Sequence, residues 1–407
     1  MALDDRLRDD ASALAPDLAR LRHDLHAHPE VGLDLPVTQQ TVLTELDGLG
    51  LEITTGRGLS SVTGVLRGGR PGPAVLLRGD MDALPLTEAT GLSFASTVAG
   101  AMHACGHDLH TAMLVGAARL LAAQRAELAG DVVFMFQPGE EGWDGAGHML
   151  AEGVLEAAGK RVSAAYGMHV SASLYRRSVF TTRPGPLMAA SSGMFVTVRG
   201  EGGHGSAPHR SRDPITAAAE MVTALQTLVT RRFDVFDPVV VTVGQFHAGT
   251  RRNIIPDEAR FEATIRTFSE RALDQIQEEA PALCRRIGAA YGVDADVQYS
   301  GEYPATVNDP GHAQFAADVI TDIFGADRYQ TMDHPLTGSE DFSRVLEEVP
   351  GCYVFLGAHT GDTHEGRPDN HSSRAEFDDS VLADGALLHA QLAVRALQRA
   401  GGAVGAA

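Results

Sequence analysis

The chain has 407 residues, enough for two domains of ordinary size, and its 44% hydrophobic and 21% charged content suits packed cores, not a disordered or fibrous chain. With 53 Asp and Glu against 33 Lys and Arg, the formal charge of -20 argues against nucleic acid or an anionic lipid surface as a partner. No apolar run of about 20 residues occurs, and the start Met1-Ala-Leu-Asp-Asp-Arg lacks a cationic and then apolar pattern, so no membrane partner and a cytoplasmic location are expected.

Leu18, Leu21 and Leu25 recur at three- and four-residue spacing and predict an amphipathic helix that stops at Pro29. Short apolar runs at 62–66, 74–77, 132–136 and 164–168 read as buried strands, with a helical pattern over 108–126, which predicts an α/β sheet packed between helices. The pattern then changes. A strand at 193–198, a helix at 214–229, strands at 239–246 and 259–267, a helix at 270–290 and a strand at 295–299 give the β-α-β-β-α-β order of a ferredoxin-like α+β unit. Pro184-Gly185-Pro186 and Tyr303-Pro304 punctuate its ends, and α/β signals resume at Phe315. The expectation is a discontinuous α/β domain over 1–187 and 301–407, interrupted by an inserted domain over 188–300. The small-residue tail 401–407 is expected to fray.

Three cysteines, Cys105, Cys284 and Cys352, are too scattered for a disulfide framework. Cys105 stands in His103-Ala104-Cys105-Gly106-His107-Asp108, where a glycine-containing turn opening a helix can aim a thiolate and an imidazole at one ion. Alone, such a Cys-x-His is more often a buried small residue beside capping histidines. The loop Gln137-Pro138-Gly139-Glu140-Glu141-Gly142 follows a predicted strand; one carboxylate of the pair can bind metal while the other accepts a proton from water. An exposed Glu-Glu pair is usually only solvated. His169 ends the next strand and His371 lies far downstream; lone histidines of this kind are more often structural. Convergence changes the balance, because Cys105, His107, Glu140, Glu141 and His169 all follow strands of one sheet, at the end where open α/β sheets place their sites. Asp82, in Asp80-Met81-Asp82 after another strand, is positioned to orient a ligating histidine. His103, His110 and His148 are read as structural.

The segments RGDMDALP (78–85), MHACGHD (102–108), QPGEEG (137–142) and GGHGSAPH (202–209) together resemble the hippurate hydrolase and N-acyl-amino-acid amidohydrolase branch of the di-metal aminoacylase/carboxypeptidase superfamily, which includes indole-acetyl-amino-acid hydrolases. The likeness extends from His26-Ala27-His28-Pro29-Glu30 through Asn253-Ile254-Ile255-Pro256-Asp257 and Gly338-Ser339-Glu340-Asp341-Phe342 to Asn370-His371-Ser372. It implies a mixed-sheet di-metal hydrolase domain with helices on both faces, whose Cys105, His107, Glu141, His169 and His371 bind two divalent ions, Cys105 bridging, with Glu140 as general base. Thiolate and imidazoles favour zinc; manganese or cobalt also suits the carboxylate and water. The inserted domain is implied to be a lid and dimerisation unit. Its His204 is implied to assist catalysis and Asn253 to bind substrate, with Arg252 or Arg251 placed to hold a carboxylate. The implied activity is cleavage of an N-acyl-L-amino acid, a small-molecule substrate, by a homodimer. A dipeptidase or exopeptidase on the same scaffold is the rival, followed by an inactive acyl-amino-acid binder. Ser373 and Trp143-Asp144 depart from the common pattern, and Trp143 is expected either to line the acyl pocket or to pack in the core.

Overall fold

Eight strands form a mixed sheet in the spatial order Glu52–Thr55, Val62–Leu66, Ala129–Gln137, Arg70–Asp80, Ala164–Ser171, Gly351–Gly357, Phe180–Thr182 and Tyr329–Thr331. This is a computed structural model, and it describes residues 3–404. Of the tail expected to fray, 405–407 lie outside the described residues; a helix backbone continues to Val404.

The four central strands, from Ala129–Gln137 to Gly351–Gly357, run parallel to one another. Parallel neighbours need long crossovers and cover from helices, so their strands read as continuous apolar runs. Ala164–Ser171 is accordingly buried at every position, and so is Gly351–Gly357. Antiparallel pairings close both sides of this centre. Helices Leu3–Ala27, His107–Ala123 and Leu382–Val404 pack on one another and on the sheet, burying Leu18, Leu21, Leu114, Leu121 and Leu388 with Phe134 and Phe136. Each fully buried Leu or Phe of this core contributes about 1.5–3 kcal/mol relative to exposure.

The chain divides into two compact units. The first comprises the chain up to Leu187, Val307–His334 and everything from Arg344; the second comprises Met188–Thr306 and Pro335–Ser343. In the second unit, an antiparallel sheet has the order Val240–Ala248, Glu258–Thr267, Ala190–Arg199, Asp294–Tyr303. Helices Pro214–Arg232 and Glu270–Tyr291 bury Met221, Leu225, Ile276 and Cys284 against Met194, Val196, Val198, Phe261 and Ile265 of one sheet face. Both helices start on side-chain caps, with Asp213 accepting from Ile215 N and Ser269 from Ala272 N. Among the described residues no helix is long and apolar enough to cross a membrane.

Candidate metal centre

Register places Asp80 opposite Gln137, and Arg78 opposite both Met135 and Gly167, so three parallel strands end at one level. The segments leaving the first two of these strands carry Asp82 and the Glu140-Glu141 pair, and His169 stands close to the same level within Ala164–Ser171. The turn 103–106 brings Cys105 and His107 to the same place, because helix His107–Ala123 starts there. Gly106 makes that turn possible: its φ is 84°, and a β-carbon on it would sit 2.3 Å from Val170 Cγ2.

Among the groups of ligand atoms lying within 4.8 Å of one another, three are made entirely of the expected residues: Cys105, His107 and His169; Cys105, Glu141 and His371; and His107, Glu140 and Glu141. Cys105 Sγ is 3.4 Å from His169 Nε2, and His371 Nε2 is 3.1 Å from Glu141 Oε1. His169 Nδ1 donates to the Val170 carbonyl at 2.7 Å, which leaves the Nε2 lone pair facing the sulfur. Asp82 accepts the backbone amides of Glu140 and Glu141 at 2.9 and 3.1 Å, and lies 3.4 Å from His107 Nδ1. Neither ring nitrogen of buried His107 makes a well-formed hydrogen bond, its carboxylate neighbours Asp82 and Asp80 standing 3.4 and 3.5 Å away. Orphaned buried groups of this kind cost about 1–3 kcal/mol each. With Nδ1–H directed at Asp82, a divalent cation would take the Nε2 lone pair of His107 together with the neighbouring carboxylate and thiolate, so the donor set fits the implied ions.

The electrostatics agree. Burial pushes the His107 pKa down, but Asp80, Asp82 and Cys105 outweigh it and hold the imidazole well above its ordinary value. Hydrogen bonds to Cys105 and Glu141 raise His371 to about 10. Burial opposes ionisation of Glu141, yet His371 and His107 pull its pKa below the usual range. His169 is held well below its ordinary value, by burial first and then by His110, so it presents a neutral ring. His371 adopts a left-handed backbone, φ 68°, a strained state that packed surroundings must hold in place.

Several supporting residues were not singled out from the sequence. Buried Arg78 binds Asp80 at 2.6 Å and Gln137 at 2.9 Å. His110, expected to be merely structural, donates to Asp80 at 2.5 Å and accepts Val170 N at 2.8 Å. Asp108 receives Arg22 and His26, both at 2.8 Å. Arg78 and Asp108 stand inside the segments 78–85 and 102–108 and His110 two residues beyond the latter, but spacing assigns no partner. Trp143 is 52% exposed with its ring against Gly32, so the core alternative for it does not hold.

His204, Asn253 and Arg252 lie in the second unit. His204 pairs with Ile254 on two short antiparallel strands, and Gly205 N donates to the Asn253 carbonyl at 2.9 Å. His204 Nδ1 accepts the Ser206 amide at 3.2 Å, so a neutral ring presents Nε2–H as a donor. Arg251 and Arg252 are exposed.

Residues 76–395 match the profile of peptidase family M20/M25/M40. The chain belongs to this family. It is similar to thermostable carboxypeptidase 1 of Saccharolobus solfataricus, with 38% identity covering 97% of this chain and 99% of the relative. It is similar also to IAA-amino acid hydrolase ILR1-like 4 of Arabidopsis thaliana, with 38% identity covering 93% and 85%. Among solved structures, the Bacillus subtilis YXEP protein, described as a dinuclear metal-binding peptidase of the M20 family, superposes with a TM-score of 0.81 at 33% identity, covering 95% of this chain and 99% of that one. The resemblance drawn from the motifs is thereby established at the family level.

Proposed function

We propose that this M20-family chain is a metal-dependent amidohydrolase that cleaves the amide bond of N-acyl-L-amino acids to a carboxylic acid and a free amino acid. The observation that carries the reading is the pair of ligand groups sharing Cys105, with Glu140 beside Glu141. That sharing supports two divalent ions with Cys105 as the bridge, and His107, His169, Glu141 and His371 as the other ligands. A thiolate with three imidazoles favours zinc. Bound divalent ions would lower the pKa of a water and polarise the amide carbonyl.

The chain's own residues supply the rest. Glu140 is buried and its backbone is fixed by Asp82, so its carboxylate is held to take a proton from water and deliver it to the leaving nitrogen. His204 Nε2–H is a donor suited to the oxygen that gains charge in the tetrahedral transition state. Asn253 and Arg252 are assigned to the carboxylate of the amino-acid half.

We assign the second unit the lid and dimerisation roles. Two features support dimerisation: Val240–Ala248 is an edge strand, and Phe195, 44% exposed, lies on the sheet face away from the helices.

The carboxypeptidase relative favours a second reading, an exopeptidase. A panel of N-acetyl-, N-benzoyl- and long-chain N-acyl-amino acids beside free dipeptides separates the two, assayed with loaded enzyme, chelated enzyme and Glu140→Ala. Turnover of acylated substrates, lost in both controls, supports the amidohydrolase. Turnover of free dipeptides alone replaces it with the exopeptidase, and no turnover of either removes both.

A further inference from the structure

We propose that Asn370 is a positioning residue that fixes the relative placement of Cys105, His169 and His371. The inference rests on the metal-centre reading above and names a residue through which that centre is held.

The Asn370 side chain reaches three segments remote in sequence. Its Nδ2 donates to the Cys105 carbonyl at 3.2 Å and to the Val170 carbonyl at 3.1 Å. Its Oδ1 accepts the Ala172 amide at 2.9 Å. The amide orientation is dictated by these partners, since both carbonyls can only accept and the Ala172 N–H can only donate. Nδ2 also stands 3.8 Å from Cys105 Sγ, so one of its hydrogens is shared with the sulfur. One side chain therefore joins the turn that carries Cys105, the strand end that carries His169, and the turn that carries His371.

Its neighbours reinforce the joint. Asp369 Oδ1 accepts the Ser173 hydroxyl at 2.6 Å and the Asn370 amide at 2.9 Å. His371 N donates to the Ala104 carbonyl at 2.9 Å. These bonds clamp a turn whose histidine is left-handed, the conformation that aims its ring at Glu141 and Cys105. Asn370 also supplies an N–H to the sulfur that both ligand groups share. An amide hydrogen on a ligating thiolate withdraws electron density from it, and partners of this kind tune both affinity and spectrum.

The test titrates the metal-stripped full chain with Co2+, following the thiolate-to-cobalt charge-transfer absorption, for wild type, Asn370→Asp, Asn370→Ala and Cys105→Ser. Asn370→Asp keeps the volume and the Ala172 contact but cannot donate. The expected result is a loss of about 10- to 100-fold in Co2+ affinity in both Asn370 variants, with a displaced charge-transfer band and native far-UV circular dichroism. If Asn370→Ala does not fold, Asn370→Asp decides alone. Variants that melt lower when metal-free, yet bind Co2+ with wild-type affinity and an unmoved band, would show a merely structural residue and overturn the proposal. A wild type with no thiolate band, indistinguishable from Cys105→Ser, places the failure in the metal-centre reading itself, and the inference falls with it.

Discussion

Asp82 Oδ1 accepts the backbone amide of Glu140 at 2.9 Å, while its second oxygen accepts that of Glu141 at 3.1 Å. One buried carboxylate thus sets the course of the loop that presents both acids. Asp82→Ala strips two N–H groups of their partner, and an unsatisfied buried donor costs about 1–3 kcal/mol. Urea unfolding of the metal-free chain should show destabilisation of that order. Metal affinity, read by titration, should fall about 10- to 100-fold because His107 also loses its neighbour. Unchanged unfolding and unchanged affinity together would remove Asp82 from this role.

Gly106 and Val170 form a second close relationship. A β-carbon at 106 meets Val170 Cγ2 at 2.3 Å and Phe377 Cε1 at 3.2 Å, on a backbone with φ 84°. Gly106→Ala should therefore destabilise by about 2 kcal/mol or more, from overpacking and the left-handed conformation combined. Adding Val170→Ala should recover part of that loss, since residues in contact couple. Additive losses in the double variant would show that the clash is not the cause.

The two relationships differ in how far the sequence reveals them. The central strands were legible because parallel, doubly covered strands are continuous apolar runs: residues 74–77 and 132–136 fall inside Arg70–Asp80 and Ala129–Gln137. The β-α-β-β-α-β order was legible because helix Glu270–Tyr291 buries Ala272, Ile276, Ala280, Cys284 and Gly288 at four-residue spacing between alternating strands. Strands Phe180–Thr182 and Tyr329–Thr331 were not, being three residues long and too short to show a period. Within the site, residue types with their own chemistry, such as Cys105 and the Glu140-Glu141 pair, announced themselves. Asn370, Arg78 and His110 did not, because each is defined by a partner remote in sequence, as in the Asn370–Cys105, Arg78–Gln137 and His110–Asp80 contacts.

Acid should weaken the metal-free fold through Asp108. Burial raises its pKa, but Arg22 and His26 overcome that and hold the carboxyl well below 3.8. A depressed folded value contributes stability above the unfolded value of 3.8 that is lost as pH falls through the folded one. For His26, burial lowers the pKa, and Asp108 outweighs it to raise it above 6.5, so its contribution is complete below 6.5 and fades as pH rises through the folded value. Urea midpoints should accordingly decline below about pH 4. Asp108→Asn should flatten this acid limb while costing about 1–3 kcal/mol at pH 7, since buried Arg22 loses one of its two carboxylate partners and keeps only Asp379. An acid limb equally steep in Asp108→Asn would assign the effect to other carboxylates.

Adjacent glutamates with different tasks should separate under the same conservative change. Glu141 shares a ligand group with Cys105 and His371, and another with His107 and Glu140. Glu141→Gln removes the charge that offsets two imidazoles, so metal content measured after dialysis should fall below that of wild type. It should also reduce the thermal stabilisation that loading provides, which for a wild-type site at 100 times its Kd is about 2.7 kcal/mol. Glu140→Gln keeps the shape and the backbone bond to Asp82 but loses the basic oxygen. It should hold wild-type metal content and wild-type melting while kcat drops by about 100- to 10,000-fold, the range typical of a general base. The two assays therefore cross: one variant loses metal, the other only rate. If Glu140→Gln instead sheds metal and Glu141→Gln retains it, the two roles are exchanged; if neither changes rate or metal content, the pair is a solvated loop and the base lies elsewhere.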